Sequence, residues 1–435
     1  MQKILIISLL CVFSLTGMAQ QRQFTLQQCI DIALENNRNI KQQELNRKSR
    51  EIAFNQARAD LLPNLNAHAG HSFNFGRSIG LDNVYQNVNS QQTRFGLGTD
   101  ITIFDGMRLR RSIDARRADI YASQADLERI QEDIIISVSS AFLQALLNKE
   151  LLQIAENQLQ TTRARIAQQT ELVESGRLAQ GELIELEAQR AREEMNRVQA
   201  ENNLKLALLD LAQIMELDSF ENFGIVAPED ETLVNEGVLL STAAVFESAL
   251  VNRAEIRGAQ FRLEGREQEL LIARSMHTPT LSLGANSGTG YFNMSGIPNA
   301  TFGHQFRNNM SHSVGLNLRI PIFNRFQVRN NISNAALAVE SQRIEIDRAK
   351  AELRQRIERA YLSALGAQSR WVAARKSGTA SREAFRFVEE KFESGRANSF
   401  ELFLAQNNLA QVLAEQAQAK YEFAFRIKIL ELLKN

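Results

Sequence analysis

Two stretches of the chain, 107–173 and 326–392, carry apolar residues at every seventh position. In the first, the series runs Ile113, Ile120, Leu127, Ile134, Ala141, and then Val138, Ala145, Leu152, Leu159, Ile166, Val173. In the second it runs Ile332, Val339, Ile346, Leu353, Ala360, and then Ile357, Ala364, Trp371, Gly378, Phe385, Phe392. A sustained seven-residue period marks a coiled-coil seam. The change of phase, near Val138 in the first stretch, moves the seam sideways once. At about 1.5 Å per residue each stretch predicts a helix of roughly 100 Å.

Shorter helices follow from caps and stops. Thr25 with Gln28 three residues on forms a capping box, and the helix it opens is expected to run to about Leu62, before Pro63. Ser241 opens the equivalent helix, which runs to about Thr278, before Pro279. Return helices are expected over 179–216 and 398–434. Each is about half the length of a long helix, so the capped helices have the right length to cover the other half. The segment 218–240, with Gly224, Pro228 and Gly237, then forms a small irregular belt at mid-height.

Four segments alternate with period two instead. Leu65, Ala67, Ala69, His71, Phe73 and Phe75 form one set, and Phe95, Leu97, Thr99, Ile101 and Ile103 another. Their equivalents are 280–292, with Leu281 and Leu283, and the set Val314, Leu316, Leu318, Ile320, Ile322. Alternation over about ten residues is the pattern of an outer-membrane barrel strand; soluble hairpins with one wet face give the same pattern. The hairpins are placed at 64–104 and 280–323, each joined by a polar loop, 77–92 or 293–312. Four strands cannot close a barrel, because the smallest single-chain barrels use about eight, and an open edge is not tolerated in lipid. If these strands span a membrane, identical chains must pool them, and three chains supply twelve.

The chain also repeats itself. Val173-Glu174-Ser175-Gly176-Arg177 recurs as Phe392-Glu393-Ser394-Gly395-Arg396, an offset of 219 residues. Gly96-Leu97 with Ile101-Thr102-Ile103-Phe104-Asp105 recurs as Gly315-Leu316 with Ile320-Pro321-Ile322-Phe323-Asn324. Upstream the offset is 216, so the second copy has three extra residues between its strands, where insertions into exposed loops collect. Two internal repeats are therefore expected, 21–217 and 241–435.

Composition narrows the function. The 435 residues carry 50 basic and 50 acidic side chains, so no basic footprint points to nucleic acid. Residues 1–20 read as a secretory signal, with Lys3, an apolar stretch from Ile4 to Leu15, and Gly17-Met18-Ala19 as a cleavage site. Cys11 lies inside that signal after Leu10, which is unlike a lipid-anchor site. Cys29 is left without a partner and is expected to be a buried apolar residue. His68 and His71 sit three apart on a strand and so on opposite faces, while His304 and His312 fall in a loop. No spacing matches a zinc site, and no phosphate loop, nucleophile elbow or catalytic triad is present. No metal, cofactor or catalytic residue is therefore expected.

The order of helix, hairpin, long helix, turn and helix, given twice, resembles the TolC family of outer-membrane channels. The residues that carry the likeness are Ile103-Phe104-Asp105-Gly106 and Ile322-Phe323-Asn324-Arg325, and the Glu-Ser-Gly-Arg turns with Glu182-Leu183 and Glu401-Leu402 downstream. The resemblance covers essentially the whole mature chain. It implies a mainly α fold with a small β part: antiparallel periplasmic coiled coils, and four transmembrane strands per chain in a twelve-stranded barrel of a homotrimer. It implies that the turns 174–178 (Glu174, Ser175, Gly176, Arg177, Leu178) and 393–397 (Glu393, Ser394, Gly395, Arg396, Ala397) are periplasmic tips. There a periplasmic adaptor docks, and an inner-membrane pump of RND or ABC type delivers cargo through it. By the same resemblance Glu182 and Glu401, six residues past each tip glycine, narrow the periplasmic entrance. A second acidic position of the family falls on Leu404.

Each named residue also has a plainer role. The tip glycines fit any helix-ending left-handed turn, the tip arginines can bond helix-end carbonyls, and Glu182 and Glu401 can be solvated helix charges. Leu178 against Ala397 makes the two tips unequal. Two other functions remain open from the sequence: an exported coiled-coil scaffold without a pore, and an exported enzyme for which no polar site is recognisable.

Overall fold

The computed structural model describes residues 22–79, 83–177, 179–218, 223–227 and 241–434. The expected signal (1–20), Leu178 and most of 218–240 lie outside the described residues. About 71% of the chain is helical, with a small sheet part. It divides into two compact units. One comprises the chain up to Glu44, Asp126–Ile256 and the chain from Ala349 onward; the other comprises Leu45–Ala125 and Arg257–Arg348.

The first unit is a helical bundle. It contains α1 (Leu26–Asn36), the C-terminal part of α3 (Arg108–Glu174), α4 (Gln180–Ile214), α5 (Thr242–Asn252), the C-terminal part of α8 (Gln327–Glu393) and α9 (Ser399–Lys434). The Thr25 capping box is formed: its hydroxyl accepts from Gln28 N and the Gln28 side chain accepts from Thr25 N. The largest apolar cluster joins Cys29 and Ala33 of α1 to Val138, Phe142, Ala145 and Leu146 of α3, Leu211 of α4 and Tyr421 of α9. A parallel pair, β1 (Arg22–Phe24) on β6 (Phe223–Ile225), closes this cluster, with the Phe24 and Phe223 rings 5.5 Å apart. A second cluster joins Val245 and Ala249 of α5 to Leu353, Ile357 and Leu433, and a third joins Trp371 to Phe423. By length and composition α3 contains a stretch apolar enough to cross a bilayer. Its most apolar run, Ile134 to Leu147, supplies the first cluster, so packing accounts for it.

The second unit holds most of α2 (Arg38–Ala59) and of α6 (Ala254–Ser275), the N-terminal parts of α3 and α8, and the remaining strands. Here α3 buries Ala115, Ala118, Ala122 and Ala125, while Ile113 and Ile120 stay half-exposed. Small residues at this 3–4 spacing allow close approach: a Cβ added to Gly258 of α6 would lie 3.3 Å from the Ala125 Cβ. On α8 the seven-residue series is buried at Val339 and Ile346.

The expected helices from Thr25 and from Ser241 are each interrupted. Asn37 separates α1 from α2 and Arg253 separates α5 from α6, both with extended ψ (126° and 125°). Tertiary bonds hold the breaks. The Asn37 amide donates to Ile214 O at 3.4 Å, and Arg38 pairs with Glu216 at 2.7 Å. Arg253 is buried, donates to Leu432 O at 3.1 Å, and pairs with Glu132 at 2.8 Å.

The four-stranded antiparallel sheet has the order β2 (Asn66–Asn74), β5 (Ser90–Phe104), β7 (Thr280–Met294), β8 (Ser311–Arg319). The central strands are 15 residues long and the edge strands nine. β8 stops at Arg319, short of the expected Ile322, because Pro321 has no N–H to give the ladder. The expected loop 77–92 holds a small hairpin, β3 (Arg77–Ile79) with β4 (Tyr85–Asn87). The expected loop 293–312 holds a short helix, α7 (Phe302–Asn308). At the strand-to-helix junctions, pairs of residues adopt left-handed backbone: Gly106 with Met107, and Arg325 with Phe326. Asp105 then caps the start of α3, accepting from Leu109 N at 3.0 Å.

Candidate functional site

Both tip turns end their long helices in the same way. Gly176 has φ +71° and Gly395 φ +69°. Gly176 N donates to Val173 O and Arg177 N to Leu172 O, both at 2.9 Å; Gly395 N donates to Phe392 O and Arg396 N to Lys391 O, at 2.9 and 2.8 Å. This nested pair of bonds is the Schellman termination, which satisfies two helix-end carbonyls and requires a residue tolerant of positive φ. Ser175 and Ser394 fold back to carbonyls of the last turn, and Arg396 Nε donates to Ser394 Oγ. Glu174, Ser175, Gly176, Arg177 and their counterparts Glu393, Ser394, Gly395, Arg396 are exposed, and Ala397 is half-buried. Each tip therefore presents a carboxylate and a guanidinium on a rigid turn.

The two tips then diverge. α9 starts under a side-chain cap, with Glu401 N donating to Asn398 Oδ1 at 2.8 Å, whereas Ala179 gives α4 none. Glu401 is exposed; Glu182 is half-buried and accepts from Ser399 Oγ at 2.7 Å. That bond joins the first turn of one return helix to the first turn of the other. Leu404 is half-exposed, and its neighbour Leu402 is buried.

Behind the tips lies a polar layer. Arg165 of α3 donates to Gln406 of α9 and lies 3.9 Å from Glu389 of α8. Gln158 bridges Glu193 of α4 and Asn407 of α9, at 3.2 and 3.3 Å, and Gln189 donates to Glu193 at 2.7 Å. Burial holds the Arg165 guanidinium below its ordinary pKa, partly offset by Glu389 and Glu193. The sequence reading missed this layer and Ser399. The signal was present: Thr162 and Gln169 interrupt the seam Leu159–Ile166–Val173 at its alternate positions, and Gln189 and Glu193 continue the spacing of Leu186.

In the sheet, register aligns the apolar residues on one face. Ala67 pairs with Leu97, Ala69 with Phe95, Ile101 with Leu283, Leu281 with Leu318 and Leu283 with Leu316. Phe73, with Phe75 just beyond the strand end, and Val314 follow the same alternation. The opposite face is polar and glycine-rich, with Gly70, Gly96, Gly284 and Gly315. His68 packs its ring on Gly96 there, and His71 bonds Thr93 Oγ1 at 2.7 Å on the apolar face. Phe73, Phe75, Leu97, Val314 and Leu316 are more than half exposed, Phe95 is 37% exposed, and Leu281 and Leu283 are intermediate. Among the described residues no group of three or more His, Cys, Asp or Glu side chains is placed to hold a metal ion.

A sheet with one exposed apolar face and two open edges, on a chain whose long helices end in paired glycine-capped tips, defines the fold of outer-membrane channel proteins. The chain belongs to the outer membrane efflux protein family, whose model matches residues 29–215 and 245–426. Protein CyaE of Bordetella pertussis is 26% identical to it over 424 residues, 94% of this chain and 83% of that protein. Outer membrane protein TolC of Escherichia coli is 22% identical over 427 residues, 96% of this chain and 84% of that one. The open state of the MtrE outer membrane channel of Neisseria gonorrhoeae has the same fold, with TM-score 0.75, 21% identity, and coverage of 94% of this chain and 89% of that one. The family is one of channel proteins, not of enzymes.

Proposed function

We propose that three copies of this chain form an outer-membrane duct, the exit component of a tripartite efflux pump or a type I secretion system. The carrying observation is that one chain leaves its sheet unfinished. β2 and β8 each have one ladder neighbour, and every residue of both strands is exposed. Ladder groups open to lipid cost several kcal/mol each, so β8 of one copy must pair with β2 of the next, and three copies give twelve strands. The apolar face then turns to lipid and the glycine-rich polar face to the lumen. The helices support the same assembly: Leu45 and Ile52 on α2, and Leu337 and Ile344 on α8, are seven apart and more than half exposed. Such stripes are unpaired coiled-coil seams. The six internal repeats of three chains would then each contribute an equivalent sixth of the wall.

The exposed Glu-Ser-Gly-Arg tips, residues 174–177 and 393–396, are rigid turns suited to docking a periplasmic adaptor, through which an inner-membrane pump of RND or ABC type would deliver cargo. Glu182 and Glu401 lie within one turn of the tips and would line the entrance, Glu182 engaged by Ser399. The duct carries no energy source of its own. The test is to express the full precursor in a Gram-negative host, extract outer membranes with detergent and count protomers by light scattering. A membrane-extracted trimer is expected. A soluble periplasmic monomer or dimer would refute the duct and favour a coiled-coil scaffold.

A further inference from the structure

The helix α7 lies on the apolar face of the sheet. Thr289 Oγ1 donates to Phe306 O at 2.7 Å, and Asn309 Nδ2 donates to Gly290 O at 2.7 Å. Gln305 bonds both the N–H and the carbonyl of Phe292, at 2.9 and 2.8 Å. Phe306 packs edge-on against Phe95 at 5.8 Å, and Phe302 lies 5.4 Å from Tyr291. Phe95, Thr289 and Tyr291 share the face that carries Leu97, Leu281 and Leu283. The helix leans from β7 towards β5, across its own chain's sheet and away from the open β8 edge.

Its position answers a local deficit. Where β5 offers Leu97 and Phe95, β7 offers Ser287 and Thr289 opposite them. α7 covers that hydroxyl-bearing stretch and satisfies Thr289; with Met310, two residues past its end, it presents Phe302 and Phe306, the three being 50%, 48% and 37% exposed in that order. His304 and Arg307, three apart, are also exposed. An aromatic surface at the end of an apolar band, with the exposed Arg307 on it, suits the boundary between acyl chains and anionic headgroups.

We propose that α7 is a lipid anchor: Phe302, Phe306 and Met310 sit at the acyl boundary of the outer leaflet, and Arg307 meets a lipid phosphate. This rests on the reading of the sheet as a barrel wall. The test uses the full-length protein with Trp371→Phe, which removes the chain's single tryptophan. Phe302→Trp then places a reporter on α7, Val314→Trp one on β8, and Met310→Trp gives a second reporter just past the end of α7 should the first variant not assemble. Each is reconstituted in phosphatidylcholine vesicles with bromine on shallow acyl carbons. Quenching of both the α7 and β8 indoles supports the anchor. Quenching at 314 without quenching at 302 or 310 overturns it and leaves the duct standing; no quenching at any site overturns the barrel wall itself. Arg307→Ala should lower the lipid A retained through detergent extraction about fivefold, the weight of one basic residue at an anionic surface. Equal retention would overturn the phosphate contact.

Discussion

The bond between Ser399 and Glu182 allows the proposed entrance to be tested residue by residue. It joins return helices 217 positions apart in sequence, is 2.7 Å long and partly buried. A hydrogen bond to a charged group contributes about 1.5–3 kcal/mol net, and part exposure places this one near the lower end. If the two hairpins part when the duct opens, losing about 1.4 kcal/mol from the engaged state raises the open-to-closed ratio about tenfold. Ser399→Ala removes the donor and keeps the charge. Glu182→Ala removes both, so the double variant should exceed Glu182→Ala by little, the non-additivity of partners in one bond. Glu401 makes no such bridge, and Glu401→Ala should change only charge repulsion at the entrance. The assay is single-channel recording in planar bilayers, reading open fraction and conductance. An unchanged open fraction in Ser399→Ala, with an increase in Glu182→Ala, would refute the latch and leave charge as the gate. No change in any variant would remove both carboxylates from the entrance.

Two further predictions concern folding. At Gly106 (φ +68°) an added Cβ would land on the Thr278 hydroxyl, so Gly106→Ala combines left-handed strain with overlap. It should lower stability by about 2–4 kcal/mol per chain, and adding Thr278→Ala should recover the overlap but not the strain, as measured by thermal unfolding. At Cys29, burial pushes the thiol up to about 12 from 9.0, so the folded protein should resist thiol-disulfide reagents at pH 8 and react on unfolding. The folded state holds this proton more tightly than the unfolded chain does. Its contribution to stability is therefore full below about pH 9 and declines as pH climbs from there towards 12. A folded protein that labels at the rate of a small thiol would refute the burial.

The long helices were legible because a seven-residue period sustained over nine turns or more has no other physical meaning, and the tips because glycine after such a run has one economical use. The strands were legible from alternation, since Leu316 and Leu318 point one way and Asn317 the other. The helix breaks were not. Asn37 and Arg253 carry no local stop signal; what ends the helices is a bond from each to a carbonyl about 180 residues away, Ile214 O and Leu432 O. α7 was hidden because seven residues are too few to establish a helical period. The buried stripe Ala115, Ala118, Ala122, Ala125 was outweighed by the larger Ile113 and Ile120 beside it, although the small residues form the contact within the chain. The isoleucines are left half-exposed, on a helix that would need a second set of neighbours in a closed ring.

The distribution of polar residues along the seam separates holding from moving. Around Phe142, Leu146 and Leu211 the helices meet through fully buried aliphatic and aromatic side chains, each contributing about 1.5–3 kcal/mol by burial. Towards the tips the same seam positions become Thr162, Gln169, Gln189, Glu193 and Gln406. There Thr162 Oγ1, Gln169 Oε1 and Gln406 Nε2 are buried without a hydrogen-bond partner among the described residues. Burying such groups costs about 1–3 kcal/mol each, so the tip segment gains less from closure than the seam above it. If the duct opens at its tips, a hairpin with an apolar hinge region and a polar end opens from the end, and the Arg165 contacts to Gln406 and Glu389 would break next behind the Ser399 bridge. Replacing Thr162 with valine and Gln169 with leucine, whose buried oxygens have no partner among the described residues, should therefore tighten the tip and lower the open fraction, in the opposite direction to Ser399→Ala. An increase would mean that the polar layer holds the tips shut.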